Sequence, residues 1–309
     1  MTHSHHFLQS TAWEAFQQSL SRTTFRRSGD GWDFLAILEP GTANSRLYCP
    51  YGPTVADRTA LTAAIAELTQ LGQSQRVSFL RIEPVDPAYN AFLSSHKWRK
   101  VTYQQLQPEH SHLLDLTQPK EQLIAQMAQP VRNIYRNYHK KGVVVHHSTD
   151  PKDIEILLQF VHQVAQRNGI RPHRDDYFRQ QAATLFPLHA AQLWYATFEG
   201  QPIAAALFYQ TETTLYYAHA GASALPQHRK LNAGTAVLAE AIIDAQQRGL
   251  QLVDLYGIAP AGASPDHPWA GFTKFKRSFG GSDVTFAGAW DLPLRPVSYW
   301  LYRAYQTIR

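Results

Sequence analysis

The stretch RKLNAGTAVLAEAIIDAQQRGLQLVDLYGI, residues 229–258, holds three elements in a row. A basic loop, Arg229-Lys230-Leu231-Asn232-Ala233-Gly234, opens a helix expected over 233–248. Gly249 closes it, because glycine takes the left-handed conformation that ends helices without a Cβ penalty. A strand is expected over 252–256. Working upstream, 193–198, 203–209 and 214–218 read as a strand meander. Its turns lie at Glu199-Gly200-Gln201-Pro202 and at Thr211-Glu212. A meander, a loop, a helix and a strand in that order make one α/β unit.

The first half of the chain echoes this order. Strands are expected over 32–38 and 46–49, joined by a turn at 41–44. Tyr51-Gly52-Pro53 then leads to a helix over 56–71 and a strand over 77–82. That helix carries Leu61, Ile65 and Leu68 at helical spacing and ends near Gly72. An earlier helix over 10–19 carries Trp13, Phe16 and Leu20, with Ser10 or Thr11 as its cap. Between the two copies, a strand is expected over 112–116 and a long helix over 118–141. Pro130 lies inside that helix, and an interior proline costs about 3 kcal/mol, so the segment reads as two helices or a kinked one. Gly142 stops it, a strand follows over 143–146, and helices follow over 151–168 and 174–183. The expected fold is therefore α/β (α+β), with domain 1 at 1–148 and domain 2 at 149–291. A C-terminal helix over 292–309 is expected to complete the first domain. A length of 309 residues suits two domains.

Composition narrows the function classes. Apolar residues are 44% and charged residues 17%, a globular balance that argues against disorder. Lys and Arg number 29 against 24 Asp and Glu, a net charge of +5 that leans towards a polyanionic partner. The single cysteine, Cys49, excludes an internal disulfide framework and a cysteine zinc site, and it reads as a buried strand thiol. No apolar run reaches the ~20 residues of a membrane span. The opening residues lack the apolar core of a signal peptide, so a cytoplasmic location is expected. His3, His5 and His6 read as part of a frayed terminus, and no metal is expected. There is no serine or cysteine nucleophile motif, no HExxH, no Walker loop and no Rossmann spacing.

Four places could carry chemistry. The loop 229–234 resembles the phosphate-cradling loop of the GNAT acyltransferases, with Asn232 in place of the first glycine. Asn tolerates a left-handed backbone better than most residues. Lys274-Phe275-Lys276-Arg277-Ser278-Phe279-Gly280-Gly281 packs three cations and two aromatics before a double glycine. It reads either as a solvated strand end or as a cationic floor under an oxyanion or phosphate. Asp254-Leu255-Tyr256-Gly257-Ile258 closes a strand, where period-2 alternation puts Asp254 and Tyr256 on one face. Arg132, Arg136 and Lys140, four apart, form a basic stripe that is either a solvated face or a phosphate or RNA contact.

Together these residues resemble the Fem family of peptidoglycan-bridge aminoacyltransferases, which have two GNAT-like domains. Phe7-Leu8-Gln9-Ser10 with Trp13 and Phe16 is similar to the family's opening helix, and Tyr51-Gly52-Pro53 to its Gly-Pro turn. Gln107-Pro108-Glu109-His110 and Leu114-Asp115-Leu116 resemble the segment leading into the linking helices. Arg132, Arg136 and Lys140-Lys141-Gly142 resemble the basic helix that follows. Tyr217-Ala218-His219-Ala220-Gly221-Ala222-Ser223 resembles the aromatic strand before the degenerate phosphate loop. Asp254 to Ile258, Phe275-Lys276 and Phe279-Gly280-Gly281 resemble the two late signatures. The helical-hairpin insertion of some members is missing between 150 and 190, so a tRNA contact made by that arm does not carry over.

The resemblance implies tandem GNAT-like domains with mixed sheets flanked by helices. It implies transfer of an amino acid from aminoacyl-tRNA to the side-chain amine of a stem peptide, on lipid II or its UDP-linked form. No further cofactor is implied. An amine attacking an activated ester needs positioning and oxyanion stabilisation, which fits the missing triad. Lys276 is the residue implied to stabilise the oxyanion or a phosphate. Asp254 either orients or deprotonates the amine, or holds the strand end. Tyr217, Arg229, Tyr256, Phe275 and Tyr103 are implied to line the precursor site, and Arg132, Arg136 and Lys140 to meet tRNA or phosphate. The C-terminal stretch mixes Tyr299, Trp300, Tyr302 and Tyr305 with Arg295, Arg303 and Arg309. It either caps the first domain's core or also touches the inner membrane face. Two rival readings remain: a GNAT enzyme using acyl-CoA on a small amine, and a non-catalytic binder of precursor or RNA.

Overall fold

The structure, a computed structural model, describes residues 5–41, 44–104, 106–168 and 173–308. His3 and half of the 41–44 turn lie outside them. In chain order the first elements are α1 (Thr11–Ser19), β1 (Thr24–Gly29), β2 (Trp32–Glu39), β3 (Arg46–Cys49), β4 (Thr54–Val55), α2 (Arg58–Ser74), β5 (Phe79–Ile82), α3 (Asn90–Ser95) and β6 (Arg99–Lys100). Then come β7 (His110–Asp115), α4 (Lys120–Gln126), α5 (Gln129–Asn137), β8 (Val143–Ser148), α6 (Ile154–Asn168) and α7 (Asp175–Leu185). The meander β9 (Ala191–Phe198), β10 (Gln201–Gln210) and β11 (Thr214–Ala222) follows. It leads to α8 (Pro226–Arg229), α9 (Ala233–Gln247), β12 (Leu252–Gly257), α10 (Ala270–Arg277) and β13 (Ser282–Thr285). The chain ends with β14 (Trp290–Pro293) and α11 (Pro296–Ile308).

Two compact units result. The first is Met1–Glu109 with Thr285–Arg309, the second His110–Val284. The first holds a sheet in the order β1-β2-β3-β5-β14-β6, with β4 on β2. The second holds a sheet in the order β13-β7-β12-β11-β10-β9-β8. Each sheet has a parallel pair joined through a helix: β3 and β5 around α2, β11 and β12 around α9. Each pair is preceded by an antiparallel neighbour, β2 on β3 and β10 on β11. The echo between the halves is thus a repeated topology of mixed sheets flanked by helices.

The expected boundary at 148 is corrected to 109. Residues 110–115 pair as β7 with β12, and 143–148 pair as β8 with β9, so the intervening helices belong to the second unit. Local sequence does not place them, because β7 pairs with a strand more than a hundred residues later and β8 with one about fifty residues later. At the other end, 285–291 belong to the first unit together with α11.

The long helix over 118–141 is two helices, α4 and α5, with Pro130 in the first turn of α5. There its missing N–H has no intrahelical acceptor to lose. A 3-10 turn over Tyr138–Lys141 follows, and Gly142 closes it at φ +78°. β1 was not anticipated, since Thr24–Gly29 is half-buried at best and lacks an apolar face. His6 corrects the frayed-terminus reading. It is buried, caps a 3-10 turn over Phe7–Gln9 by accepting from Leu8 N, and lies 3.8 Å from the Tyr51 ring.

The second unit's core forms around α9, which is buried nearly all round: Ala236, Val237, Leu238, Ala239, Ala241, Ile242, Ile243 and Ala245. Its alanines let the helix lie close against the sheet, where it meets Phe208, Leu215, Val253 and Leu255. The first unit buries Phe34, Leu47, Leu80, Ile82 and Trp290 against Leu68 and Leu71 of α2. Cys49 belongs to this core, and burial pushes its thiol pKa up, so it is an inert packing group. Among the described residues, no helix is long and apolar enough to cross a membrane.

Candidate active site at the end of strand 12

The parallel ladder between β11 and β12 is short. It joins Thr214–Tyr216 to Leu252–Asp254 and then stops, although β11 runs on to Ala222 and β12 to Gly257. Past Tyr216 and Asp254 no ladder pairs are formed between the two strands. Ligands of open α/β sheets bind beyond the carboxyl ends of strands, where such a ladder stops. The end of the ladder has a visible cause in β12. Its pairing with β7 shifts between Asp254 and Gly257, and Tyr256 sits at φ +57°. A left-handed tyrosine is uncommon, and such residues concentrate at functional sites.

That kink corrects the expectation that Asp254 and Tyr256 share a face by alternation. Instead, the Asp254 carboxylate folds back on the kink. Its Oδ1 accepts the Tyr256 N–H at 2.7 Å and the hydroxyl of Ser111. Asp254 is buried, and burial raises its pKa against the pull of Ser111, the Tyr256 N–H and the Lys276 charge. It therefore holds the strand end, which is the structural alternative left open by the sequence.

Lys276 closes the arrangement. The cluster 274–281, readable as a strand end, is instead the last turn of α10 and the residues after it. The Lys276 ammonium donates to Gly257 O at 2.6 Å and to Tyr256 O at 3.2 Å. An ammonium has three N–H donors, so one remains for a ligand. Burial lowers its pKa to about 8, while the Asp254 charge opposes the fall. Thr273 locks α10 in place, its hydroxyl donating to Trp269 O and accepting the Ala259 N–H. Past the helix, Gly280 and Gly281 take φ +87° and +88°. A Cβ on Gly281 would stand 2.2 Å from Leu113 O. The other cations of the cluster are not gathered with Lys276: Arg277 pairs with Asp283, and Lys274 is exposed.

The remaining candidates divide. Tyr256 lies at the kink, its ring 5.8 Å from Tyr216. Tyr217 is half-buried on β11, 5.4 Å from the core ring of Phe208, and burial pushes its hydroxyl pKa up. Phe275 packs 5.1 Å from buried Phe279 as a core anchor. Arg229 is exposed on α8, ahead of Asn232, which takes the left-handed conformation as the N-cap of α9. The basic stripe is broken. Arg132 donates to Ala125 O at 2.9 Å and to Met127 O, so it caps α4. Lys140 sits in the 3-10 turn, off the α5 register, and Arg136 and Lys140 are exposed. Tyr103 belongs to the first unit, where it accepts from Arg81 at 2.6 Å and donates to Asp291 at 2.8 Å. It is a member of a structural network there.

Two residues escaped the sequence reading. His219 follows Tyr217 on β11 and stands 5.0 Å from the Phe178 ring, with burial lowering its pKa to about 4. Glu83, at the end of β5, lines a narrow crevice with Tyr51, Gln107, Pro108 and Phe286. It accepts the Tyr48 hydroxyl at 2.6 Å, and burial raises its pKa to about 7 despite Tyr48, Arg81 and Gln107. A carboxyl titrating near neutrality in a crevice is a candidate proton acceptor. The only signal was an acidic residue ending an apolar strand, which by itself names no role. Among the described residues no group of histidines, cysteines and carboxylates could hold a metal.

The FemAB family model matches residues 189–307, which include β11, β12 and Lys276. Among solved structures, FemX has a TM-score of 0.84 at 14% identity, with 95% of this chain and 94% of that chain covered. L-PGS from Bacillus licheniformis has a TM-score of 0.60 at 13% identity, with 96% and 94% covered. A tandem GNAT protein from the clavulanic acid biosynthesis pathway has a TM-score of 0.56 at 15% identity, with 94% and 90% covered. No curated protein matches the sequence significantly. The FemAB family model thus matches the part of the chain that carries the strand-12 site, and the fold is similar to that of FemX over nearly the whole length.

Proposed function

We propose that the chain is an aminoacyltransferase of the peptidoglycan-bridge type. It moves an amino acid from aminoacyl-tRNA to the side-chain amine of a stem peptide, on a lipid-linked or UDP-linked precursor. The observation that carries this reading is Lys276, a partly desolvated ammonium fixed by two carbonyls of a kinked strand end with one N–H to spare. In the reaction the neutral amine attacks the ester carbonyl and a C–N bond forms. Negative charge gathers on the carbonyl oxygen, then the C–O bond to the ribose breaks. The amine's proton leaves to solvent or a carboxyl. A nearby fixed cation stabilises the charged intermediate most where water is excluded. The FemAB match over residues 189–307 supports acyl transfer, and the FemX likeness supports the two-unit frame. The test is transfer of labelled Gly, Ala or Ser from charged tRNA to a UDP-linked pentapeptide. Absence of product with all three would overturn the reading.

One observation favours a second reading. Asn232 holds a left-handed backbone at the start of α9, and a Cβ on Gly234 would meet nothing within 4 Å, so the loop is open to a ligand. That is the geometry expected if the loop cradles the pyrophosphate of acyl-CoA. Titration with acetyl-CoA separates the two: stoichiometric binding would favour the CoA enzyme, and no saturable heat the tRNA one.

A further inference from the structure

The helix α11 is amphipathic the wrong way round. Its inward side is polar and aromatic. The Ser298 hydroxyl meets Ser78 Oγ at 2.8 Å and Asn44 Oδ1 at 2.5 Å, and the Tyr299 hydroxyl meets Asp291 at 3.2 Å. The Tyr302 hydroxyl donates to Gln104 at 2.9 Å. The rings of Tyr299 and Tyr302 pack 5.2 and 5.0 Å from Phe79. Its outward side is apolar: Val297 is 77% exposed, Trp300 51%, Leu301 65% and Tyr305 58%, with Ala304 exposed between them. On a helix these positions share one face. The other exposed large apolar residues, Val85, Val144, Leu188, Leu225 and Phe272, come from separate elements and loops, which is ordinary for a protein surface. A continuous apolar helix face held outward by a hydrogen-bonded back is not ordinary.

The charges carried by the helix and its approach have one sign. Residues 292–308 contain Arg295 and Arg303 and no acidic residue. Arg99, exposed on β6, lays its guanidinium 4.7 Å from the Trp300 ring. Arg295 is exposed at the helix start. Aliphatic residues, a tryptophan and a tyrosine on one face, with Arg99 and Arg295 beside them and no carboxylate in the segment 292–308, suit a bilayer whose headgroups are anionic. The apolar side chains enter the headgroup–acyl boundary, the ring polar atoms stay at its wet edge, and the guanidinium groups meet lipid phosphate.

We propose that the outward face of α11, with Arg99 and Arg295, is a surface that binds anionic lipid membranes in the interfacial plane. The occupant is a bilayer surface, and the binding is independent of whichever acyl group the enzyme transfers.

The test uses the full chain and vesicles of phosphatidylcholine, alone or mixed with phosphatidylglycerol. The expected result is co-sedimentation with the mixed vesicles, at least roughly tenfold stronger than with phosphatidylcholine alone, and weakened by salt. Leu301→Glu should weaken it by about tenfold or more while leaving the melting temperature and any transferase activity on a water-soluble acceptor unchanged, because the side chain faces solvent. A blue shift of tryptophan emission on adding mixed vesicles should shrink in Trp300→Phe. No binding to the mixed vesicles would overturn the proposal. So would equal binding by Leu301→Glu, or a concentration-dependent dimer that Leu301→Glu dissolves with no vesicle binding by the wild type.

Discussion

Lys276 must be protonated to stabilise an oxyanion, and its pKa is lowered to about 8. Transfer should therefore fall as pH rises through about 8, in a rate profile measured at saturating acceptor. Lys276→Ala should lower kcat by about 10²–10³ with a smaller change in KM, the pattern of a group acting on the developing charge. Asp254 touches this chemistry only through Lys276 and the strand kink. Asp254→Asn removes the anion that opposes the lysine's fall, so the descending limb should move to lower pH, which a purely structural role would not produce. Glu83 gives a separate, stability-based test. Its folded pKa, about 7, lies above the ordinary carboxylate value, so the folded state binds the proton more tightly than the unfolded one. Tyr48, Arg81, Arg46 and Gln107 face it and oppose that shift without cancelling it. Stability from this group is thus lost as pH rises from about 4.5 to about 7. Glu83→Gln should remove that slope and raise stability at pH 8 by roughly 2 kcal/mol in urea unfolding.

At the level of elements, the helix that the sequence draws across 118–141 offers a sharp test. If Pro130 lay in a helix interior, replacing it by alanine would stabilise the protein by about 3 kcal/mol. In the first turn of α5 it should change stability by less than about 0.5 kcal/mol in denaturant unfolding. Gly281 is the opposite case. Its φ is +88° and a Cβ would press on Leu113 O, so Gly281→Ala should lower stability by about 2 kcal/mol or more and reduce activity by displacing the end of α10. The contrast shows what was legible at this scale. α9 announced itself through a glycine stop and a long apolar run, and β12 through its length and aliphatic content. The kink at Tyr256 did not, because a left-handed tyrosine leaves no mark in composition. It arises where Asp254 and Ser111, 143 positions apart, meet through a side-chain bond. The cation cluster around Lys276 was visible as composition, whereas the carbonyls that Lys276 and Arg132 reach depend on the folded backbone.

For the molecule as a whole, the echo of two α/β units was legible because each parallel pair and its helix are contiguous in sequence. The strand that flanks each pair was not, because it arrives from elsewhere in the chain. β7 precedes its unit's helices and pairs with β12, while β14 arrives near the end of the sequence and pairs with β5. Neither strand carries a sequence signal for its partner, and that is why the boundary was expected at 148 and lies at 109. In the first unit the placement of β14 rests on chemistry. Arg81 and Asp291 face each other across the β5–β14 register, both fully buried, with hydrogen bonds of 2.7 and 2.9 Å. Tyr103 and Gln104 each accept a further guanidinium N–H. Such a pair adds little over packed apolar residues, but removing one member strands a charge in the core. Asp291→Ala should therefore destabilise the first unit by about 3–5 kcal/mol, read as an early loss of exchange protection in β5 and β14. The double change Arg81→Met with Asp291→Leu should recover most of that loss, since volume and apolarity replace the paired charges. Protection in β9 to β11 should stay at its wild-type level in both variants, because those strands belong to the other unit's sheet. If instead Asp291→Ala loosened β9 to β11 as early as β5, the two units would share one cooperative unfolding step, and the late-arriving β14 would be holding the whole chain.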